Sequence, residues 1–345
     1  MNSSINKINE QQFLFGMLLG PIRWNILKIA FRYRLFDHFI TMNNATTVAR
    51  IFNWCPTRLT LLLNAYVTLG IMEKQAQSFS VKPNYQPYLV SHSRNYLGET
   101  LCSLAEIKSL TATQSVEWLT QDTPPEQQID MRDQVFWQKA TSRLRAFHKS
   151  TRNLILLPVL QTLPNWRDGL HFLDVGAGSA ELAQDILAIH PQSQITLFDL
   201  PLCCTAIQMQ LTDSTRFNES NTSQAIKFLP GDMNTTPFGG PYQMILAAMS
   251  LYFATNLQHC INRLWTSLAP GGTLISFHES LNQARTQPEF HILSRLPAEL
   301  ANGPLSIESG QIEEALKANH PASLDTQQIP TPFGEMTLII AHKLT

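Results

Sequence analysis

No run of roughly twenty apolar residues occurs in this 345-residue chain, which excludes an ordinary membrane-spanning helix. An excess of charge of one sign is missing too. The 25 Lys and Arg residues stand against 26 Asp and Glu, a formal net charge of −1, and the cations are scattered rather than clustered. That excludes a nucleic-acid surface and fits a small, uncharged or weakly charged partner. Cysteine is scarce: Cys55, Cys102, Cys203, Cys204 and Cys260 have no C-x-x-C spacing and are odd in number. Reduced core thiols are expected, with no disulfide framework and no metal; Cys203-Cys204 reads as a small apolar pair on a helix. The first ten residues, Met1 to Glu10, lack the charged and apolar blocks of a secretory signal and carry no lipidation motif, so a cytoplasmic location is expected. What is plentiful is apolar material, 44% of the chain, enough for one large domain or two with buried cores.

The informative stretch is His171-Phe-Leu-Asp-Val-Gly-Ala-Gly-Ser-Ala180, followed by Thr196-Leu-Phe-Asp-Leu-Pro201. An apolar run ends in an acid and a glycine-rich turn, a helix follows, and a second strand closes on another acid. This is the layout of a nucleotide-type ligand site. Gly176 and Gly178 can take positive φ and bring bare backbone to a ligand. The helix after them carries Leu182, Ala183, Ile186, Leu187 and Ile189 on one stripe, which turns its amino end toward that ligand. Asp199 lies where a carboxylate can accept both hydroxyls of a ribose. A dinucleotide site would need a third glycine where Glu181 stands, so its pyrophosphate turn is absent. After Ile226-Lys-Phe-Leu229 comes Gly231-Asp-Met233, in which Asp232 can bond an adenine amino group and the Met233 thioether can lie on the ring. Three strand-end acids in order point to adenosine without phosphate.

On these residues the chain resembles the class I S-adenosylmethionine-dependent methyltransferases, and most closely the small-molecule O-methyltransferases that include caffeate, acetylserotonin and bacterial tailoring enzymes. Asp174-Val-Gly-Ala-Gly178, Asp199-Leu-Pro201, Gly231-Asp-Met233 and Leu268-Ala-Pro-Gly-Gly-Thr-Leu-Ile275 carry the likeness, which runs from about residue 12 to the end. It implies an α/β fold: a Rossmann-like seven-stranded sheet over 166–345, a helical linker at 111–165 crossing the active site, and a mainly helical winged-helix domain at 12–110 that makes a homodimer. S-adenosylmethionine is the implied cofactor, held by Asp174, Gly176, Gly178, Asp199, Leu200, Gly231, Asp232 and Met233. The family commonly has Gly-Gly-Gly-x-Gly where this chain has Gly176-Ala-Gly-Ser-Ala180; the strand-end acid and two glycines remain, and cofactor binding is expected to survive.

The residue pattern agrees with that outline. Ile22, Ile26, Ile29, Tyr33 and Phe36 mark one helix, Thr46 to Phe52 a shorter one, and Leu59 to Leu69 a third that starts at Pro56 and stops at Gly70. A β-type pair spans about 71 to 85. That order is a winged-helix arrangement, yet its candidate recognition helix offers only Arg58 as a cation, so a buried protein contact suits it better than DNA. Gln121 to Gln128 reads as a polar loop before a linker starting near Met131. Strands are expected at 171–175, 194–198, 226–229, 242–249, 272–277, 322–328 and 336–342, alternating with helices to give a parallel sheet whose last two strands pair antiparallel.

Where the resembled enzymes carry a catalytic histidine after the fourth strand, Ala247-Ala-Met-Ser-Leu-Tyr-Phe253 places Ser250, too weak a base alone. His278 and Glu279, after the fifth strand, are the first candidates to replace it, and His148 and His291 are weaker ones. His259 reads as surface. Phe136, Trp137, Met249, Tyr252, Phe253, Phe290, His291 and Leu293 are expected to line an aromatic acceptor pocket. The leading expectation is methylation of a small aromatic secondary metabolite at oxygen. N- or C-methylation, or a pericyclic or other rearrangement that leaves the methyl in place, remains the alternative, because both need little help from a base. A ligand-sensing regulator built on the winged helix is a third.

Overall fold

The computed structural model describes residues 2–120, 133–212 and 225–345, with side chains from residue 9 onward. The expected loop at Gln121 to Gln128 and the linker start near Met131 lie outside the described residues. Two compact units divide the chain, Met1–Ser103 and Leu104–Thr345.

The first unit contains α1 (Asn2–Met17), α2 (Gly20–Arg32), β1 (Asn43–Asn44), α3 (Ala45–Phe52), α4 (Pro56–Thr68), β2 (Met72–Gln75), β3 (Ser78–Val81) and α5 (Gln86–Leu89). The Asn44 side chain accepts from the Thr47 amide at 2.8 Å and starts α3. Pro56 opens α4, where no backbone donor is needed. The strands pair in the order β1-β3-β2, all antiparallel. Phe31, Phe36, Phe39, Leu63, Tyr66 and Phe79 fill the core, and the buried Tyr66 hydroxyl donates to the Ile26 carbonyl at 2.6 Å. Helix, short helix, proline-started helix and β pair thus follow one another in the expected sequence.

Helix α6 (Gly98–Ile107) leads toward the second unit, followed by α7 (Ala112–Leu119), α8 (Gln134–Phe147), a π-helical turn at His148–Arg152 and α9 (Asn153–Gln161). The alternating part then runs β4 (His171–Val175), α10 (Glu181–Ile189), β5 (Gln194–Asp199), α11 (Pro201–Thr212), β6 (Ile226–Pro230), β7 (Tyr242–Ala248), α12 (Leu257–Thr266), β8 (Leu268–His278), α13 (Glu289–Asn302), α14 (Gln311–Lys317), β9 (Ser323–Thr331) and β10 (Gly334–His342). Strand order is β6-β5-β4-β7-β8-β10-β9. The first five are parallel, while β10 runs antiparallel to both neighbours. Strand β8 begins four residues before the expected 272, since Leu268 already pairs with Tyr242 ahead of a register shift at the glycines.

Both faces of the sheet are covered, which explains why β4 and β7 are almost continuously apolar. One face packs Leu160, Phe172, Leu182, Ile186, Ile207 and Leu246; the other packs Val175, Phe198, Phe238, Ile245, Ile261 and Leu264. The chain winds outward from β4 to β6 and then returns to the other side of β4 with β7. That reversal opens a crevice at the carboxyl ends of β4 and β7, the place where open α/β sheets bind ligands.

Candidate active site

Backbone conformation builds the crevice first. Gly176 and Gly178 have φ of +69° and +63°, and the Gly176 and Ala177 amides both donate to the Phe198 carbonyl of β5, at 2.8 and 3.2 Å. A Cβ on Gly176 would lie 2.5 Å from the Ser250 Cβ. The glycine there is required by the protein's own turn after β7. Met249, one residue earlier, is held at φ +56°, a left-handed conformation that costs a side-chain-bearing residue of order 1–3 kcal/mol and concentrates at functional sites. Glycine 178 faces the linker instead: a Cβ would meet Leu144 at 2.8 Å and His148 at 3.3 Å.

Around this turn lie buried polar atoms that have no hydrogen-bond partner among the described residues. Both carboxylate oxygens of Asp174, Nη2 of Arg152 and Oγ of Ser250 make no hydrogen bond. Arg152 is 1% exposed and Asp174 fully buried, with 3.8 Å between Nη2 and Oδ2, too long for a hydrogen bond. Burial raises the Asp174 carboxyl to about 6, against the pull of Arg152. Burial also lowers the Arg152 guanidinium, partly offset by Asp174 and Asp185. Arg152 was not visible as a site residue in the sequence; its one signal was a cation just ahead of the apolar run Leu154 to Leu157. The π turn that ends at Arg152 is the irregularity that places it, and such turns recur at functional sites.

Asp199 ends β5 with its carboxylate already oriented: Oδ2 accepts from the Gly178 amide and Oδ1 from the Leu200 amide, both at 2.8 Å. Burial raises its pKa and those amides lower it. Gly231 is buried and donates its amide to the Asp199 carbonyl at 2.9 Å. Asp232 is exposed, and its Oδ1 accepts from both the amide and the side chain of Asn234 at 2.9 Å. Met233 packs into the apolar cluster with Phe198 and Phe238.

The histidines occupy other roles than the base expected of them. His278 is 1% exposed, and its Nε2 accepts from the amides of Ser250 and Leu251 at 3.0 and 2.9 Å. The proton therefore sits on Nδ1 and donates to Ser276 Oγ at 2.9 Å. Burial, helped by the charge of Arg295, pushes the imidazole down to about 3. With both nitrogens engaged, His278 clamps the turn that carries Ser250 and has no lone pair for a substrate proton. His148 is buried with Nδ1 2.7 Å from Ser179 Oγ, and burial holds it well below the usual histidine range; it braces the glycine turn. His291 is buried and donates from Nε2 to the Glu335 carbonyl at 3.1 Å. His259 is exposed on α12, as expected.

Glu279, just past β8, is 4% exposed. One of its oxygens pairs with Nη2 of Arg295 on α13, and Oε2 has no partner. The Arg295 guanidinium lies 4.1 Å over the Tyr252 ring, and Tyr252 is edge-on to His278 at 6.2 Å. Of the expected pocket wall, Tyr252 and Met249 are half-buried beside this group. Phe290 and His291 contact Phe333 at 6.0 and 6.3 Å, a residue the sequence reading did not include. Trp137 is buried in the core cluster on one face of the sheet, with Phe136 packed on the same cluster. Phe253 and Leu293 stand in solvent at 61% and 58% exposure, so neither forms a buried wall. Among the described residues no group of three or more His, Cys, Asp or Glu side chains could hold a metal.

The site's family follows from comparison. The O-methyltransferase domain family matches residues 138–296, the segment carrying Arg152, Asp174, Asp199, Ser250 and Glu279. The S-adenosyl-L-methionine-dependent methyl transferase PigF of Serratia sp. (strain ATCC 39006) is 23% identical over 97% of each chain. The chain is thus similar to S-adenosylmethionine-dependent methyltransferases, and residues 138–296 match the O-methyltransferase domain. Solved structures share the fold. An O-methyltransferase family protein from Burkholderia thailandensis matches at TM-score 0.72 and 18% identity, covering 96% of this chain and 97% of its own. Human N-acetylserotonin methyltransferase in complex with SAM matches at 0.73 and 16%, covering 97% and 98%. No single helix among the described residues is long and apolar enough to cross a membrane.

Proposed function

We propose that this chain methylates a small aromatic secondary metabolite at oxygen, with the crevice after β4, β5 and β7 holding the cofactor. The observation that carries the reading is the convergence of unpartnered buried groups on one turn: the Asp174 carboxylate, Arg152 Nη2 and Ser250 Oγ. Buried polar atoms are nearly always paired in a finished protein. A zwitterionic amino-acid end fits this set, its ammonium toward Asp174 and its carboxylate toward Arg152. Asp199 supplies two oriented acceptors for ribose hydroxyls, and Asp232 stands at the next strand end for an adenine amino group. When bound, S-adenosylmethionine supplies a methyl carbon on a sulfonium, with charge and leaving group already in place.

The chain's own residues then mainly orient the acceptor and exclude water. Glu279, fixed on one side by Arg295, leaves Oε2 to accept a hydrogen bond from a donor on the acceptor. Tyr252, under the same guanidinium, offers a flat apolar face. A second reading, N- or C-methylation or a rearrangement without methyl transfer, draws support from the engagement of both His278 nitrogens, which leaves no imidazole base beside Ser250. Formation of S-adenosylhomocysteine together with a product heavier by one methylene group separates the two outcomes of transfer and no transfer. The exposed apolar side chains Phe13, Leu14, Phe15, Met17, Leu18 and Ile22 on and after α1 support a homodimer through the first unit.

Calorimetry with S-adenosylhomocysteine tests the cofactor assignment. Asp199→Ala should abolish binding, and an unchanged affinity would place the cofactor elsewhere.

A further inference from the structure

Lys108, just past the end of α6, is a half-buried ammonium that no carboxylate accompanies among the described residues. Among the described residues its Nζ donates only to a neutral partner, the Ser294 carbonyl on α13, at 3.3 Å, and it lies 6.0 Å over the Phe290 ring. The groups that face it are few. From α13 come Arg295, already paired with Glu279, and His291, whose proton goes to the Glu335 carbonyl; on its own helix Glu106 is taken by Arg143 at 2.7 Å. Two cations therefore stand close together, Arg295 paired with Glu279 and Lys108 with no carboxylate among the described residues, beside the aromatic faces of Phe290 and Tyr252.

A buried charge without a counterion is costly, and burial together with Arg295 lowers Lys108 to about 8. An anion in this position would relieve both causes. Resting on the methyltransferase reading above, we infer that the acceptor is an acidic phenol or enol taken up as its anion, with Lys108 as the counter-charge to the reacting oxygen. The acceptor leaves its proton in solvent before docking, and the protein needs no histidine to remove it. That accounts for a serine at position 250 and for a His278 used wholly in holding a turn.

The ionic window follows with its sign. Lys108 is charged below about pH 8 and neutral above it, whereas the acceptor becomes anionic as pH rises through its own ionisation. Capture is strongest between the two.

The probe is 4-nitrocatechol, whose visible absorbance reports ionisation, added to the full chain saturated with S-adenosylhomocysteine. We expect the bound probe to carry the anion's spectrum at a pH one unit below its free ionisation. Lys108→Met should lose that spectrum and at least tenfold in probe affinity; Lys108→Arg should keep both. 4-Nitroanisole, which cannot ionise, should bind the wild type and Lys108→Met alike. A neutral bound spectrum, no binding to the wild type, or an anion spectrum that survives in Lys108→Met overturns the inference. So does 4-nitrobenzoate binding that depends on Lys108 as strongly as 4-nitrocatechol does, since Lys108 would then be a carboxylate site. Loss of S-adenosylhomocysteine binding by the wild type would instead sink the cofactor reading, a separate result in the same titration.

Discussion

Replacing Arg152 by methionine tests the cofactor site where it departs furthest from any motif. The guanidinium is 1% exposed, its Nη2 has no hydrogen bond, and Asp174 Oδ2 is 3.8 Å away. Two effects oppose each other in the free protein. Removing the cation ends its own desolvation cost, but leaves Asp174 buried without it. Asp174, already raised to about 6 by burial, then rises further and takes a proton. Free-protein stability should therefore change little. Binding should not escape so easily, because a hydrogen bond to a charged group contributes roughly 1.5–3 kcal/mol, or about ten- to 150-fold in Kd. Calorimetry with two ligands isolates the term: S-adenosylhomocysteine has the amino-acid end and 5′-methylthioadenosine lacks it. The variant should weaken the first by that factor and leave the second within about twofold. Equal weakening of both would mean that Arg152 only shapes the turn, and no weakening would remove it from the site.

Three further outcomes follow from the same geometry. Asp174 has a folded-state pKa raised above its ordinary 3.8 to about 6, so its protonated form is favoured on folding; its stabilising share is present below about pH 4 and lost as pH rises through 6. At about 1.4 kcal/mol per unit this is about 3 kcal/mol. The unfolding free energy of the free protein relative to Asp174→Asn should fall by up to that amount between pH 4 and 7, and a pH-independent difference would refute the burial argument. Gly176→Ala must place a Cβ 2.5 Å from Ser250 at φ +69°, a cost of roughly 1–3 kcal/mol in denaturant unfolding; adding Ser250→Gly should recover part of it, and no recovery would show that strain alone is responsible. His278→Ala should release the Ser250-Leu251 turn and lower turnover without moving the pH profile, whereas His278→Gln, whose amide oxygen can accept the same donors, should restore part of the rate; loss of an ionisation from the profile would return His278 to acid–base work.

Periodicity and glycine spacing made most of the second unit legible. Seven strands, their parallel run and their antiparallel end follow from apolar stretches separated by helical stripes, since a strand buried on both faces must be apolar throughout. Asp174, Gly176, Gly178 and Asp199 were legible for a related reason: a strand end and a bare backbone turn are local features, written in consecutive residues. The aromatic wall was less so. Trp137, Phe253 and Leu293 have the composition of pocket residues, but core, solvent and pocket all accept such side chains, and only packing chooses among them.

Local sequence thus determined the chain's class, its sheet and the glycine turn, because each depends on neighbours a few positions away. Tertiary structure alone decided who partners whom. His278 meets amides 27 and 28 residues distant and so becomes a clamp rather than a base. Arg152, at the end of a π turn, comes within 3.8 Å of Asp174 at the end of β4, and Lys108 meets α13 across 186 residues of sequence. Burial and charge pairing are properties of that long-range assembly, and they set which of the chain's ionisable groups are left with work to do.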